Sequence, residues 1–462
     1  MSVKRFRFVF MRVLLIFFAA LFFYSCGHAQ EESTAMNDED RLMLLRLLIY
    51  SDENNDAVFE LIDRNWEDGM IAPMVEIQRL ISDRVLFKKI NTLLKDKTGQ
   101  KHKEFFAWMD WLWEAKIPNE PYYFEFKADL YASIDEKFAT YFRERSDESN
   151  IQLEEVVWGG VVQDGIPPLR YPELISAEDA KYLDDDNIVF GMYVNGIAKA
   201  YPKRILAWHE MFIDEFDGLE IAGVYCTLCG TVIPYKTEHK GVRHELGTSG
   251  FLFRSNKLMY DRATQTLWNT IEGQPMLGPL ADQDIKLDVY PVVTTTWGKW
   301  KAQHPDTEVL SLNTGHRRDY GEGIAYQSYF NTDELMFPVP LTDKRLNNKD
   351  EVLIVRADDY TADPLAISIK HMKKNRFHKD MIGDTDFVVV ADHTGASRAY
   401  NSTGVEFVSL DDQLLVDSEG NKWMVNNTYL KGPEDKILHQ LPSHNMFWFA
   451  WFNTYPETRL VE

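Results

Sequence analysis

Two thiols three positions apart, Cys226-Thr-Leu-Cys229-Gly230, are the residues in this chain best suited to chemistry. Two cysteines on one tight bend, followed by a glycine that lets the backbone curl, resemble the knuckle of rubredoxins and zinc ribbons. Both sulfurs of such a turn reach one ion at about 2.3 Å. A four-coordinate ion needs two further ligands, and the third cysteine, Cys26, stands far upstream. His209 is the first choice for a third ligand and Met259 for a fourth, with Glu210 or Asp261 as oxygen donors and Arg262 beside them. Thiolate, thioether and one imidazole favour copper over zinc. Two other chemistries remain open for the pair: a structural disulfide in an oxidising compartment and a thiol redox couple. Haem is excluded as a covalent cofactor, because Gly230 stands where the haem-ligating histidine would follow the second cysteine. Thioredoxin-like chemistry is disfavoured, since Thr231-Val-Ile-Pro234 reads as a strand and offers no helix N-terminus to lower a thiol pKa. Ser249 has no identifiable base and is set aside as a nucleophile.

The elements around these residues are mostly short β runs. Val189–Val194, Asn195-Gly196 and Ile197–Tyr201 predict a hairpin, because Asn-Gly tolerates the positive φ values of a type I′ turn. Asp217-Gly218 leads into Ile221–Tyr225, and Thr231–Tyr235 follows the cysteines, again strand-like. An internal duplication is expected. Trp297-x-x-Trp300 with Pro305 and Thr307 is matched by Trp448-x-x-Trp451 with Pro456 and Thr458 at the same distances. Upstream, Thr231–Tyr235 lies over Ala396–Tyr400 and Gly230 over Gly395, which sets Ala391 and Thr394 where the first copy has Cys226 and Cys229, and sets His371 as the counterpart of His209. A scaffold that does without the thiols in one copy points to function in the other. Residues before about 150 are helical in spacing (Leu86, Ile90, Leu93, Leu94), with a stop at Lys97-Thr98-Gly99 and an aromatic stretch, Phe105–Trp113, that looks like the end of a HEAT-type repeat.

Composition bounds the rest. Of 462 residues, 45% are hydrophobic and 13% aromatic, which permits sizeable cores and excludes global disorder. The formal net charge of −22 and the absence of a basic patch argue against nucleic acid as a partner. A basic start, the apolar run Val13–Tyr24 and Ser25-Cys26-Gly27 read as a signal peptide ending in a lipobox, with Cys26 the lipidation site and Phe23 where leucine is usual. Acyl chains on Cys26 would hold the chain to a membrane, each buried methylene contributing about 0.8 kcal/mol. The address is therefore an exported, membrane-anchored lipoprotein on the periplasmic or cell-surface face.

Gln163-Asp-Gly-Ile-Pro-Pro, Ala200-Tyr-Pro, Trp208-His209-Glu210, Tyr225–Gly230, Gly247-Thr-Ser-Gly250, Met259-Tyr-Asp-Arg262, Trp268 and Trp297–Thr307 appear in that order. This set strongly resembles the bacterial family of unknown function numbered 3179, over about Gln163 to Glu462. The resemblance implies an envelope setting and a helical-repeat partner domain, with no established activity. The expected organisation is α+β. A signal peptide occupies 1–25, a tether 26–40, a helical HEAT-like domain 41–150, a β-rich copy carrying Cys-x-x-Cys 151–345, and a second copy without cysteines 346–462. The leading expectation is a soft-metal site at Cys226, Cys229 and His209. Alternatives are a binding or assembly module with a structural disulfide, whose helical domain recruits a protein partner, and a thiol–disulfide oxidoreductase. Whether the site is catalytic is left open by the residues.

Overall fold

The computed structural model describes residues 36–50, 56–143, 151–411 and 414–462. The segments expected as a signal peptide and most of the tether, with Cys26, lie outside the described residues. The chain forms two compact units divided between Ser133 and Ile134. The helix Phe138–Arg143 therefore belongs to the β-rich unit, and the helical unit ends short of the expected boundary at 150.

The first unit is helical. Ile71–Leu80 and Arg84–Thr98 are consecutive helices. Asp83 starts the second by accepting from the amides of Val85 and Leu86, and Gly99 ends it at φ 72°, which glycine adopts without a Cβ penalty. The aromatic stretch lies in Phe105–Ala115. Inside the unit, Glu76 accepts from Lys127 (2.8 Å), Tyr123 and Tyr131 (both 2.7 Å), so a buried carboxylate is fully satisfied across two helices. No described helix is long and apolar enough to cross a membrane.

The second unit is built from sheets, and α+β describes the chain. The predicted hairpin is Ile188–Val194 with Ile197–Pro202, turned by Asn195 (φ 51°) and Gly196 (φ 82°). It sits in a five-stranded sheet, flanked by Val293–Thr296 antiparallel on one side and Glu308–Leu310 parallel on the other. A four-stranded sheet has the same order and directions: Ser443–Phe447, Glu351–Val355, Leu365–Ser368, then Arg459–Val461 parallel at the edge. In each sheet a short helix closed by a tryptophan, Trp297–Gln303 or Trp448–Thr454, leads from the antiparallel edge strand to the parallel one. Trp300 donates to Thr307 Oγ1, and Trp451 to Thr458 Oγ1, both at 2.8 Å. Trp297, Trp300, Trp448 and Trp451 are all buried core residues. Gly191 lets the backbone approach Trp300, where a Cβ would come within 2.3 Å of the indole. The remaining strands form a five-stranded sheet that includes Leu246–Phe253 and Asn256–Asp261, a four-stranded sheet that includes Leu219–Cys226 and Thr231–Lys236, a two-stranded ribbon, and an eight-stranded sheet from Phe377 to Leu441. The stretch 315–349 is loop-like as expected, with one short helix, Gln327–Phe330.

Candidate functional site

Cys226 is the last residue of the strand Leu219–Cys226, where it pairs with Thr231 of the returning strand. Four residues close the turn. The Cys229 amide donates back to the Cys226 carbonyl at 3.2 Å, and Gly230 adopts φ 63° with a ring pressed against it. A Cβ there would stand 2.7 Å from Phe447. Glycine is therefore required twice over at this position, by conformation and by space. The two sulfurs are joined as a disulfide.

Both cysteines are fully buried, in a core otherwise made mainly of residues from 352 to 451. The turn is also tied there by polar contacts. The Cys229 carbonyl accepts from the Phe447 amide (2.8 Å), and the Leu228 carbonyl from the Tyr329 hydroxyl (2.8 Å). Next to it, Arg356 Nε donates to His444 Nε2 at 3.0 Å. A guanidinium only donates, so Nε2 accepts, and the neutral ring's proton lies on Nδ1, facing Thr231 Oγ1 at 2.9 Å.

The other expected ligands lie elsewhere. His209 ends the helix Lys203–His209, and both its nitrogens are engaged, Nδ1 with the Pro167 carbonyl (2.9 Å) and Nε2 with the Tyr320 hydroxyl (2.6 Å). Met259 is buried in a different core, among Leu246, Trp268 and Ile233. Asp261 accepts from His244 (3.1 Å) and from the amides of Ala263 and Thr264, so it organises a turn. Arg262 lies 3.6 Å from both Asp164 and Glu245 and is well exposed. Cys226 and Cys229 are brought together, but His209 and Met259 are not gathered with them. Among the described residues, no group of three or more His, Cys, Asp and Glu side chains is arranged to hold a metal ion. The reason is local: hydrogen bonds and core packing had already claimed the two side chains that spacing offered as ligands.

What the sequence reading missed is Lys257. It sits in a strand whose every residue is buried, on the same face as Met259 and Asp261. Its ammonium donates to the Glu210 carbonyl (2.8 Å) and lies 3.5 Å from the Glu210 carboxylate. The sequence carries no decisive signal for it, because the burial of the neighbouring strand residues is visible only in the structure. Burial pushes the Glu210 carboxyl up and the Lys257 ammonium down, each opposed by the other's charge. Both line a pocket of about 60 Å³ together with Leu228, Ser249 and Tyr326. Asp164 joins the motif segments nearby, accepting from Tyr260 (2.7 Å) and from the Thr248 amide (3.1 Å).

Burial lowers the His209 ring to about 4, opposed by the Pro167 hydrogen bond and reinforced by the nearby His316 and Arg318 charges. Burial, and then Arg356, holds His444 well below its usual value. Both rings are neutral in the folded chain and take up protons near pH 6.5 once unfolded. Their contribution to stability is thus complete above about pH 6.5 and is lost as pH falls from there toward the folded values. The unfolding midpoint is expected to drop by several degrees between pH 7.5 and pH 5, and His444→Gln to flatten that slope. A midpoint independent of pH across this window would show that neither ring is held neutral.

Residues 163–458 match the model of a family described as protein of unknown function (DUF3179). No curated protein and no solved structure matches the chain.

Proposed function

We propose that this chain, which belongs to the DUF3179 family, is a membrane-tethered envelope lipoprotein whose β-rich unit is a binding module stapled by a structural disulfide. The observation that carries this reading is the setting of Cys226–Cys229: both residues are fully buried in apolar core, with the turn's carbonyls bonded to Phe447 and Tyr329. Thiol–disulfide exchange needs a thiolate to reach a sulfur. A pair enclosed in core offers no such approach. The lipid anchor on Cys26 and recruitment of a protein partner by the helical unit, whose paired helices are of the kind used in HEAT-type repeats, belong to the same reading and rest on sequence.

A duplication supports placing the functional features in one half. The two sheets share strand order, directions and the Trp–Thr closure. Matching main-chain bonds refine the correspondence. The Tyr225 amide donates to the Glu210 carbonyl as the Ala391 amide does to Arg376. This register sets Asp392 opposite Cys226, Arg376 opposite Glu210 and Asn375 opposite His209. The expected pairing of Cys226 with Ala391 is off by one because the second turn is one residue shorter, and His209, the last residue of its helix, answers Asn375, the last of Ile369–Asn375, in place of His371. Thr394 still answers Cys229.

The test is thiol counting by mass spectrometry, with metal analysis, on protein purified without chelator. A bonded pair that resists mild reductant until the protein is denatured is expected. Stoichiometric copper or zinc that disappears in a Cys226→Ser/Cys229→Ser variant would overturn the proposal in favour of a metal site. A pair that cycles readily in the folded protein would favour an oxidoreductase.

A further inference from the structure

Between the two related sheets lies a second cavity, of about 230 Å³, which borders the disulfide's core at Ile369 and Phe447. Its walls come from both halves. Val293–Thr296 contributes Thr294, Thr295 and Thr296, and Ser443–Phe447 contributes Asn445 and Phe447. Gly230 and Gly395, the glycines of the two corresponding turns, also border it.

The polar groups here share one property. Lys203 has no carboxylate within ion-pairing distance among the described residues, and its ammonium rests over the Phe330 ring at 4.1 Å. Burial pushes that ammonium's pKa down, with Glu351 and Glu322 acting in the opposite direction. Asn445 is only 7% exposed, yet its carboxamide makes no hydrogen bond with any described residue. The half-buried hydroxyls of Thr294 and Thr296 likewise make no hydrogen bond with any described residue. Buried or half-buried polar groups are ordinarily paired. A cation, an amide and two hydroxyls left open on one cavity in a chain of net charge −22 point to a guest that supplies acceptors. Glu351 stands on the same wall and can accept from a hydroxyl or amine of that guest.

We propose that this cleft binds a small organic oxyanion, whose carboxylate or phosphate is held by Lys203, Asn445, Thr294 and Thr296. The inference names the ligand class of the binding module proposed above and rests on that reading for a binding rather than catalytic role. The cleft's volume suits a molecule of a few heavy atoms beyond the anionic group.

The test is calorimetric titration of the full-length protein in detergent with inorganic phosphate and, separately, with malate, against sodium chloride at matched ionic strength. Saturable one-site binding of at least one probe is expected, and which one binds distinguishes a phosphate from a carboxylate ligand. Lys203→Gln should weaken it by about tenfold or more, because a charge-assisted hydrogen bond is lost. Asn445→Asp, which keeps the shape and adds a repelling charge, should do the same, with the unfolding midpoint recorded for each variant to establish folding. Heats no larger than the chloride control for both probes, or folded variants that bind as the parent does, would overturn the proposal. Thiol counting on the same samples separates the two readings. Free cysteines with intact anion binding would sink the disulfide and leave this site standing.

Discussion

Glu210→Ala is expected to destabilise the β-rich unit by about 3–5 kcal/mol, because it leaves the Lys257 ammonium buried without its carboxylate. Lys257 is 5% exposed and Glu210 7% exposed, so solvent cannot take over the pairing. The backbone is not the cause of the loss. Glu210 ends its helix at φ 55°, and alanine meets the same strain there as glutamate does. The Glu210 carbonyl would still accept from Lys257 and from the Tyr225 amide. A double variant, Glu210→Met with Lys257→Met, removes both charges while keeping most of the volume. It should recover most of the stability lost in either single change, since apolar replacement of a buried pair is often neutral or better. Urea unfolding followed by circular dichroism of the parent, Glu210→Met, Lys257→Met and the double variant gives all four corners of this cycle. Single variants within about 1 kcal/mol of the parent, with additive effects, would mean that the pair is hydrated and uncoupled.

Serine at both Cys226 and Cys229 is the second large effect. Opening so short a ring costs about 2 kcal/mol in the chain-entropy treatment. Each serine hydroxyl then sits in apolar core, at about 1–3 kcal/mol if it finds no partner. A loss of several kcal/mol follows, visible as a midpoint lowered well beyond that of any surface variant. Alanine at both positions separates the two contributions, since it opens the ring without burying hydroxyls. If the serine and alanine variants both unfold with the parent, the cysteines contribute nothing to stability, and their retention in one half needs a different explanation.

How far the sequence led can be judged residue by residue. Asn195-Gly196 and Gly99 were readable because each needs a backbone conformation that few residue types accept. The recurring tryptophan pairs were readable because large side chains and a threonine repeat at fixed distances, whereas the short helices that carry them and the Trp–Thr bonds appear only in the structure. The Cys-x-x-Cys bend was located correctly for a similar reason, since a local turn is specified by local spacing. Its surroundings were not. His209 looked available as a ligand because nothing in a sequence says that Pro167 and Tyr320 will occupy its two nitrogens from 42 and 111 residues away. Lys257 went unnoticed because a single lysine in a strand reads as a solvated position until the burial of its neighbours is known. Likewise, Asn445 and Lys203 meet on one cavity only because a strand and a helix far apart in sequence both border it.

The Cys226–Gly230 bend docks into a core whose other members are mostly made 120 to 225 positions later, and Ala396 is received in turn by the core around Trp297 and Trp300. During synthesis the earlier half must therefore wait with Leu228 uncovered until Ser443–Phe447 has emerged. Ribosome stalling, a nonsense codon or proteolysis near the C-terminus would strand an oily knob with no socket. Clones shortened by even twenty residues at that end should be recovered as aggregates, whereas the intact polypeptide melts in the β-rich unit as one cooperative block.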